Sequence, residues 1–258
     1  MTAMKILLAI NGSSFSRMAT QLLLALQPVP QTEVGVITVV PEHVFLGGIT
    51  VDQLGGSAAD RRRARILREK KAIDLLREPL TMLKESGMKI EGTVGWGQPA
   101  EEIICKARQM GADMVIIGAR GEADPERFPI GAIAQKVMKY ADCSVLLARD
   151  EIPTLRRVLL ALDGSKYSEA AGRFLIDLPL PHTSEVILVT VLHSYIATWM
   201  KMPTMDLEAN QNLLAQLKEA EKTAAKHIMN KTREQFRQAG YGVSCTVLRG
   251  EPAEEILM

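Results

Sequence analysis

Three glycines, Gly118, Gly121 and Gly131, punctuate the stretch GARGEADPERFPIGAIAQK. An apolar run from Met114 to Ile117 precedes it, and a run with helical spacing follows. Residues of this kind suit phosphate. Glycine lets a backbone come close to a ligand and adopts positive φ without strain. A helix starting at Gly131 would add unpaired N–H groups and a partial positive charge at its first turn. The loop could then embrace a triphosphate. The same composition also serves an ordinary turn between a strand and a helix, so spacing alone leaves both readings open.

Other chemistries lack their residues. The sequence contains no GxxxxGK[ST] loop and no GxGxxG after its first apolar run. Gly47, Gly48, Gly55 and Gly56 fall in a polar loop, and no GxSxG elbow occurs. A phosphoacceptor domain would cluster acids where Asn11 stands. His43, His182, His193 and His227 form no spaced set, which argues against a metal site. Cys105, Cys143 and Cys245 are odd in number and contain no CxxC, so neither zinc nor a disulfide framework is expected. They read as free, mostly buried thiols in a reducing compartment. No residue stands out as a catalytic base.

Composition narrows the class further. In 258 residues, 47% are apolar, enough for a packed core. The net charge of +1 and the 4% aromatic content give no basic surface and no base-stacking platform, so nucleic acid is not an expected partner. The basic run Arg61 to Arg65 reads as a solvated helix face. No stretch approaches the roughly 20 apolar residues that span a bilayer, and the first residues do not form a signal peptide. A soluble cytoplasmic protein without membrane contacts is expected.

The chemistry-bearing segments sit inside a repeat. ILLAINGSSFSRMA, from Ile6 to Ala19, matches VLLALDGSKYSEAA, from Val158 to Ala171. GWGQPAEEII, from Gly95, matches LRGEPAEEIL, from Leu248, at nearly the same offset. A period this long means a duplicated domain, with boundaries expected at 1–151 and 152–258. In the first copy, strands are expected over Lys5–Ile10, Glu33–Val40, Lys89–Gly95, Met114–Ile117 and Ser144–Ala148. Helices are expected over Ser14–Leu26, Ala59–Ser86, Pro99–Gln109 and Gly131–Tyr140. Pro79 should kink or split the second of these. Alternating strands and helices imply a parallel, doubly wound α/β sheet. Ligands bind such sheets beyond the carboxyl ends of the strands, at the topological switch point. Both Asn11-Gly12-Ser13 and the glycine loop fall there.

The second copy begins with its own strand, Val158 to Leu162, and Asp163, Ser165 and Ser168 resemble the start of a second site. Nothing in it corresponds to Ala112 through Ala148. Its central strand is therefore expected to carry an open edge, which invites self-association or pairing between the two domains. A fragment of a longer protein is the favoured explanation at this point. The methionine-rich stretch from Tyr195 to Asn212 reads as packing under a long loop, with a lid or an adaptable contact surface as alternatives.

The motifs AINGSSFS, ALDGSKYS, GQPAEEII and GEPAEEIL, with the glycine loop, resemble the universal stress protein family in its tandem form. The resemblance spans nearly all of the first copy and about two-thirds of the second. It implies a Rossmann-like sheet of strand order 3-2-1-4-5 in each copy, the second truncated. The family's nucleotide pattern, G-x2-G-x9-G-[S/T], fits Gly118, Gly121 and Gly131 in spacing. By the same resemblance Asn11, Gly12, Val39, Gly118, Gly121, Gly131, Ala132 and Ile133 form a nucleotide site. ATP, with or without Mg, is the implied ligand, and Val39 is its apolar base contact. Two residues depart from the pattern. Ala132 replaces a serine or threonine, and a hydroxyl bond to phosphate contributes about 1.5–3 kcal/mol, or about 10- to 100-fold in affinity. Asn11 replaces an aspartate near the base, and a neutral amide both donates and accepts. The implied function is an adenine-nucleotide-binding regulatory or stress-response protein and not an enzyme, with slow ATP hydrolysis still open. The rival is an interaction module of the same fold whose nucleotide site is degenerate.

Overall fold

The computed structural model describes residues 3–41, 45–46, 49–50, 57–121, 129–151, 154–192 and 211–257. The chain divides into two compact units, one ending at Thr154 and one beginning at Leu155.

In the first unit the strands are β1 (Lys5–Ile10), β2 (Glu33–Val40), β3 (Phe45–Leu46), β4 (Ile49–Thr50), β5 (Lys89–Trp96), β6 (Met114–Gly118) and β7 (Ser144–Ala148). The helices are α1 (Ser14–Ala25), α2 (Ala58–Lys84), α3 (Pro99–Met110) and α4 (Ala132–Tyr140). β3 and β4 pair as a small antiparallel ladder. The other five strands form one parallel sheet in the order β5-β2-β1-β6-β7. Counted along the main strands, this is 3-2-1-4-5, the expected order.

β1 and β6 are apolar at nearly every position because both faces of the sheet are covered. Ile6, Leu7, Leu8, Val115 and Ile116 are fully buried. α1 and α2 pack on one another and α3 packs on α4, so helices flank the sheet in two layers. Leu7, Ala9, Val115 and Ile117 share a cluster with Ala100, Ile103 and Ala107 of α3 and Val137 of α4. Strand alternation sends their neighbours to the other layer.

α2 runs unbroken through Pro79, so of the two expected outcomes, a kink or a split, the split does not occur. Proline leaves one helical carbonyl without its donor and costs about 3 kcal/mol in an exposed helix. Here Pro79 lies on the buried face with Ala72, Leu76 and Leu83, so packing of that face offsets the loss. A reciprocal capping box between Ser57 and Asp60 secures the start of the helix. The basic run is exposed, as expected for a solvated face, and Arg65 rests its guanidinium 4.8 Å above the Trp96 ring.

The second unit contains β8 (Arg157–Ala161), β9 (Glu185–Leu192) and β10 (Gly242–Arg249), with α5 (Lys166–Asp177), α6 (Gln211–Gln238) and α7 (Pro252–Leu257). Its sheet is parallel, in the order β10-β9-β8. This repeats the 3-2-1 half of the first sheet. Val186, Leu188 and Phe236 are fully buried in this unit. Residues 195–210 of the methionine-rich stretch lie outside the described residues.

The cysteines correct one expectation. All three are free, but Cys105 and Cys245 are exposed and only Cys143 is half-buried. Cys105 sits off the face of α3 that Ala100, Ile103 and Ala107 turn inward. Cys245 lies on an edge strand whose burial is slight along its length. Burial raises the Cys143 thiol above its ordinary pKa, helped by the carboxylate of Asp142.

Candidate functional site

At the carboxyl ends of β1 and β6 the chain turns two ways. β1 leads through α1 to β2 on one side, and β6 leads through α4 to β7 on the other. This is the switch point of the sheet. A cavity of about 320 Å³ opens there, within the range of small-ligand sites. Three helices present their first turns to it: α1 through Ser16, α3 through Pro99 and Ile103, and α4 through Ile133 and Ala134.

The loop after β1 is built twice. Gly12 and Gly164 both hold positive φ, 81° and 78°, a backbone region that side chains disfavour. In one copy the Asn11 Oδ1 accepts from the Ser13 N–H at 3.1 Å. In the other, Asp163 Oδ1 accepts from the Ser165 N–H at 2.9 Å. Ser13 then caps α1 by accepting from the Ser16 N–H, and Ser165 caps α5 by accepting from the Ser168 N–H. The chemistry of the two copies nevertheless differs. Asp163 is an acceptor only, and bonds from the side chain and backbone of Ser165, with a further one from Ser168, lower its pKa to about 2. Asn11 has turned its carbonyl oxygen to the Ser13 N–H, since a backbone N–H can only donate. Its amide NH2 is a donor where the second copy has a carboxylate.

The loop after β6 is pinched at its base. Ala119 donates its N–H to Ala148 O at 2.7 Å, and Gly131 donates to Ala119 O at 2.8 Å. These two bonds hold Ala119, Gly131 and Ala148 together. Gly131 is the N-cap of α4, with extended φ and ψ and no side chain capping the helix. The first-turn N–H groups of Ala132, Ile133 and Ala134 thus start a helix whose dipole favours an anion. Gln135 fastens the entry by donating its Nε2 to Ile130 O.

Of the expected residues, Asn11, Val39, Gly118, Gly121 and Ile133 line the cavity. Gly131 and Ala132 stand just outside its wall, at the start of α4. Gly12 faces away, and a Cβ there would come within 2.5 Å of Leu75 Cδ2. Gly118 has a packing role beside its place in the wall. A Cβ at Gly118 would sit 2.7–2.9 Å from Cβ, C and O of Phe15, so the missing side chain lets α1 press against β6. The wall also includes Ser16, Arg120 and the apolar Pro41, Pro99 and Ile103, which sequence reasoning passed over. Arg120 carried a signal, being a cation between two loop glycines. Pro41, Pro99 and Ile103 carried none, since only the folded sheet brings those turns together. Among the described residues, no group of acids, histidines and cysteines could hold a metal ion.

The fold agrees with what comparison with known proteins finds. The model of the universal stress protein family matches residues 2–149 and again 154–258, so the chain belongs to the universal stress protein family and carries its domain twice. Universal stress protein YxiE of Bacillus subtilis is 27% identical over 151 residues, covering 56% of this chain and 98% of that protein. Universal stress protein MJ0531 of Methanocaldococcus jannaschii is 29% identical over 145 residues, covering 56% of this chain and 81% of that one. A solved universal stress protein from Archaeoglobus fulgidus has the same fold across both units. It covers 98% of this chain and 80% of its own, with a TM-score of 0.61 at 19% identity.

Proposed function

We propose that the first unit binds an adenine nucleotide, ATP with or without Mg, and that the chain is a nucleotide-dependent regulatory or stress-response protein. The observation that carries this reading is the cavity at the switch point. One end is apolar, between Val39, Pro99 and Ile103, and suits a purine ring. The other end gathers Gly118, Arg120, Gly121 and the first turn of α4, and suits phosphate. Asn11 stands between as a donor for an acceptor on the base. Among the described residues of the wall there is no carboxylate or imidazole to activate water, which supports reading the ligand as a bound signal, with slow hydrolysis left to test. The rival, an interaction module with a degenerate site, draws on Ala132, where a hydroxyl toward phosphate is missing.

Calorimetric titration of the full chain with ATP tests the proposal. Saturable binding is expected, and Gly121→Val, which puts a branched side chain into the wall, should abolish it. A natural chain that takes up no ATP at millimolar concentration would leave the degenerate module standing.

A further inference from the structure

We propose that the outer face of α2 docks an acidic amphipathic helix of a partner protein. None of the residues that form this face lines the nucleotide cavity, so the proposal stands apart from the nucleotide reading.

α2 is held to the first unit by its second half. Ala72, Leu76, Pro79 and Leu83 are buried, whereas no residue from Ala58 to Lys71 is. A helix of that length is marginal in water by itself, so the uncovered half depends on its capping box and on continuity with the packed half. Seven of the eleven residues from Arg61 to Lys71 are basic and one, Glu69, is acidic. Like charges one turn apart repel. An acidic partner would relieve that repulsion.

Two rows define the face. Ala59, Ile66 and Ile73 recur at every seventh residue, and so do Arg63, Lys70, Arg77 and Lys84. The rows are four residues apart and therefore run side by side along the helix. Ile66 is 55% and Ile73 48% exposed, and the four cations are exposed as well. Arg77 has a carboxylate beside it, Asp74 at 3.2 Å. The next member of the apolar row, Leu80, turns inward beside Gly92 of β5, because a seven-residue row drifts about 20° per heptad on a straight helix. An apolar row flanked by a row of one charge is the surface that one helix offers another. Isoleucine packs at the seam, and lysine or arginine meets glutamate beside it. The residues three and four positions from Ile66 are Arg62, Arg63, Glu69 and Lys70, so the seam is one side chain wide. A lipid surface calls for a broader apolar sector, and a phosphate backbone calls for cations without isoleucines. A second α2 would bring like charges together.

The duplicated domain supplies an internal control. α6 buries Ala225, Met229, Thr232 and Phe236, at the spacing of Ala72, Leu76, Pro79 and Leu83 in α2. Outward positions therefore compare one to one. Where α2 has Ile66 and Ile73, α6 has Glu219 and Lys226. Where α2 has Lys70 and Arg77, α6 has Thr223 and Asn230. Covering a sheet of this kind thus requires neither row, and the docking face belongs to the first unit.

The test uses the full chain and a fluorescent helical peptide with isoleucine at every seventh position and glutamate beside each isoleucine, read by anisotropy. Saturable binding is expected. It should weaken about tenfold or more in Arg63→Glu/Lys70→Glu and about fivefold or more in Ile66→Ser/Ile73→Ser. All four positions are exposed, so both variants should keep the melting temperature of the natural chain. A peptide with lysine in place of each glutamate should bind Arg63→Glu/Lys70→Glu and not the natural chain. Failure of the acidic peptide to bind at millimolar concentration, or equal binding to the natural chain and both variants, would overturn the proposal. Tighter binding of phosphatidylserine vesicles or of a DNA duplex, undiminished in Ile66→Ser/Ile73→Ser, would overturn it in favour of a general affinity for anions.

Discussion

Gly118→Ala should destabilise the first unit even with no ligand present. In the glycine-loop pattern this residue would be a phosphate contact. In the structure its hydrogen faces the first turn of α1. A methyl group there would meet Phe15 Cβ at 2.7 Å, Phe15 C at 2.8 Å and Phe15 O at 2.9 Å. Favourable contact between carbons lies at about 3.5–4.0 Å, so the neighbours must retreat by roughly 1 Å. Two of the three atoms are backbone and cannot rotate aside. That backbone is pinned by the Ser13 cap, which accepts from the Ser16 N–H at 3.3 Å. Overpacking of this kind costs about 1–3 kcal/mol. In a protein of this size each kcal/mol moves the midpoint by about 2–4 °C, so a fall of about 2–12 °C is expected. Thermal unfolding of the full chain, with amide exchange in β1 and β6 reporting on the first unit, measures it. A variant that melts within about 1 °C of the natural protein would refute the packing role and return Gly118 to phosphate binding alone.

The repeated turns give paired expectations. Gly12→Ala and Gly164→Ala each force a side chain into positive φ, and each should lose about 1–2 kcal/mol of stability in urea titrations; unchanged midpoints would contradict the backbone assignment. Ala132→Ser should restore a hydroxyl to the first turn of α4 and tighten ATP about tenfold or more by calorimetry. Asp163 has a folded pKa of about 2, against about 3.9 for an unfolded aspartate. Its contribution is therefore complete above about pH 4 and is lost as pH falls through about 2. Asp163→Asn should flatten the acid limb of the stability profile, by a small amount because the carboxylate is exposed. An identical profile in both proteins would dismiss the serine-held carboxylate.

Much of the fold was legible because periodicity and punctuation agree in it. β1 and β6 are short apolar runs ending at turn residues, and only strands buried on both faces read that way. Gly131 was recognisable as a helix start, and it caps α4. Where local rules misled, tertiary packing had overridden them. Pro79 breaks helices in general, but here its ring belongs to a buried face. Cys105 and Cys245 are usually buried types that landed on outward positions. The candidate site was readable at Asn11, Gly118 and Gly121, which end or follow apolar strands, whereas Gly12 and Gly131 lie outside its wall. Its apolar wall was not readable. Pro41 and Pro99 are far apart in sequence and meet only because β2 and β5 are paired, with Val40 opposite Trp96. Gly118 shows that one residue type answers to two demands, close ligand approach and close helix packing, which no sequence pattern separates.

Amide hydrogen exchange of the full chain, with and without saturating ATP, tests the central claim most directly. Protection should rise in three places that meet only at the switch point: the turn from Ile10 to Ser16, the end of β6 from Ile117 to Gly121, and the first turn of α4 from Ala132 to Ala134. The turn from Asp163 to Ser168 in the second unit should change less. No added protection in those three segments, or protection confined to the second unit, would contradict a nucleotide site at the end of β1 and β6.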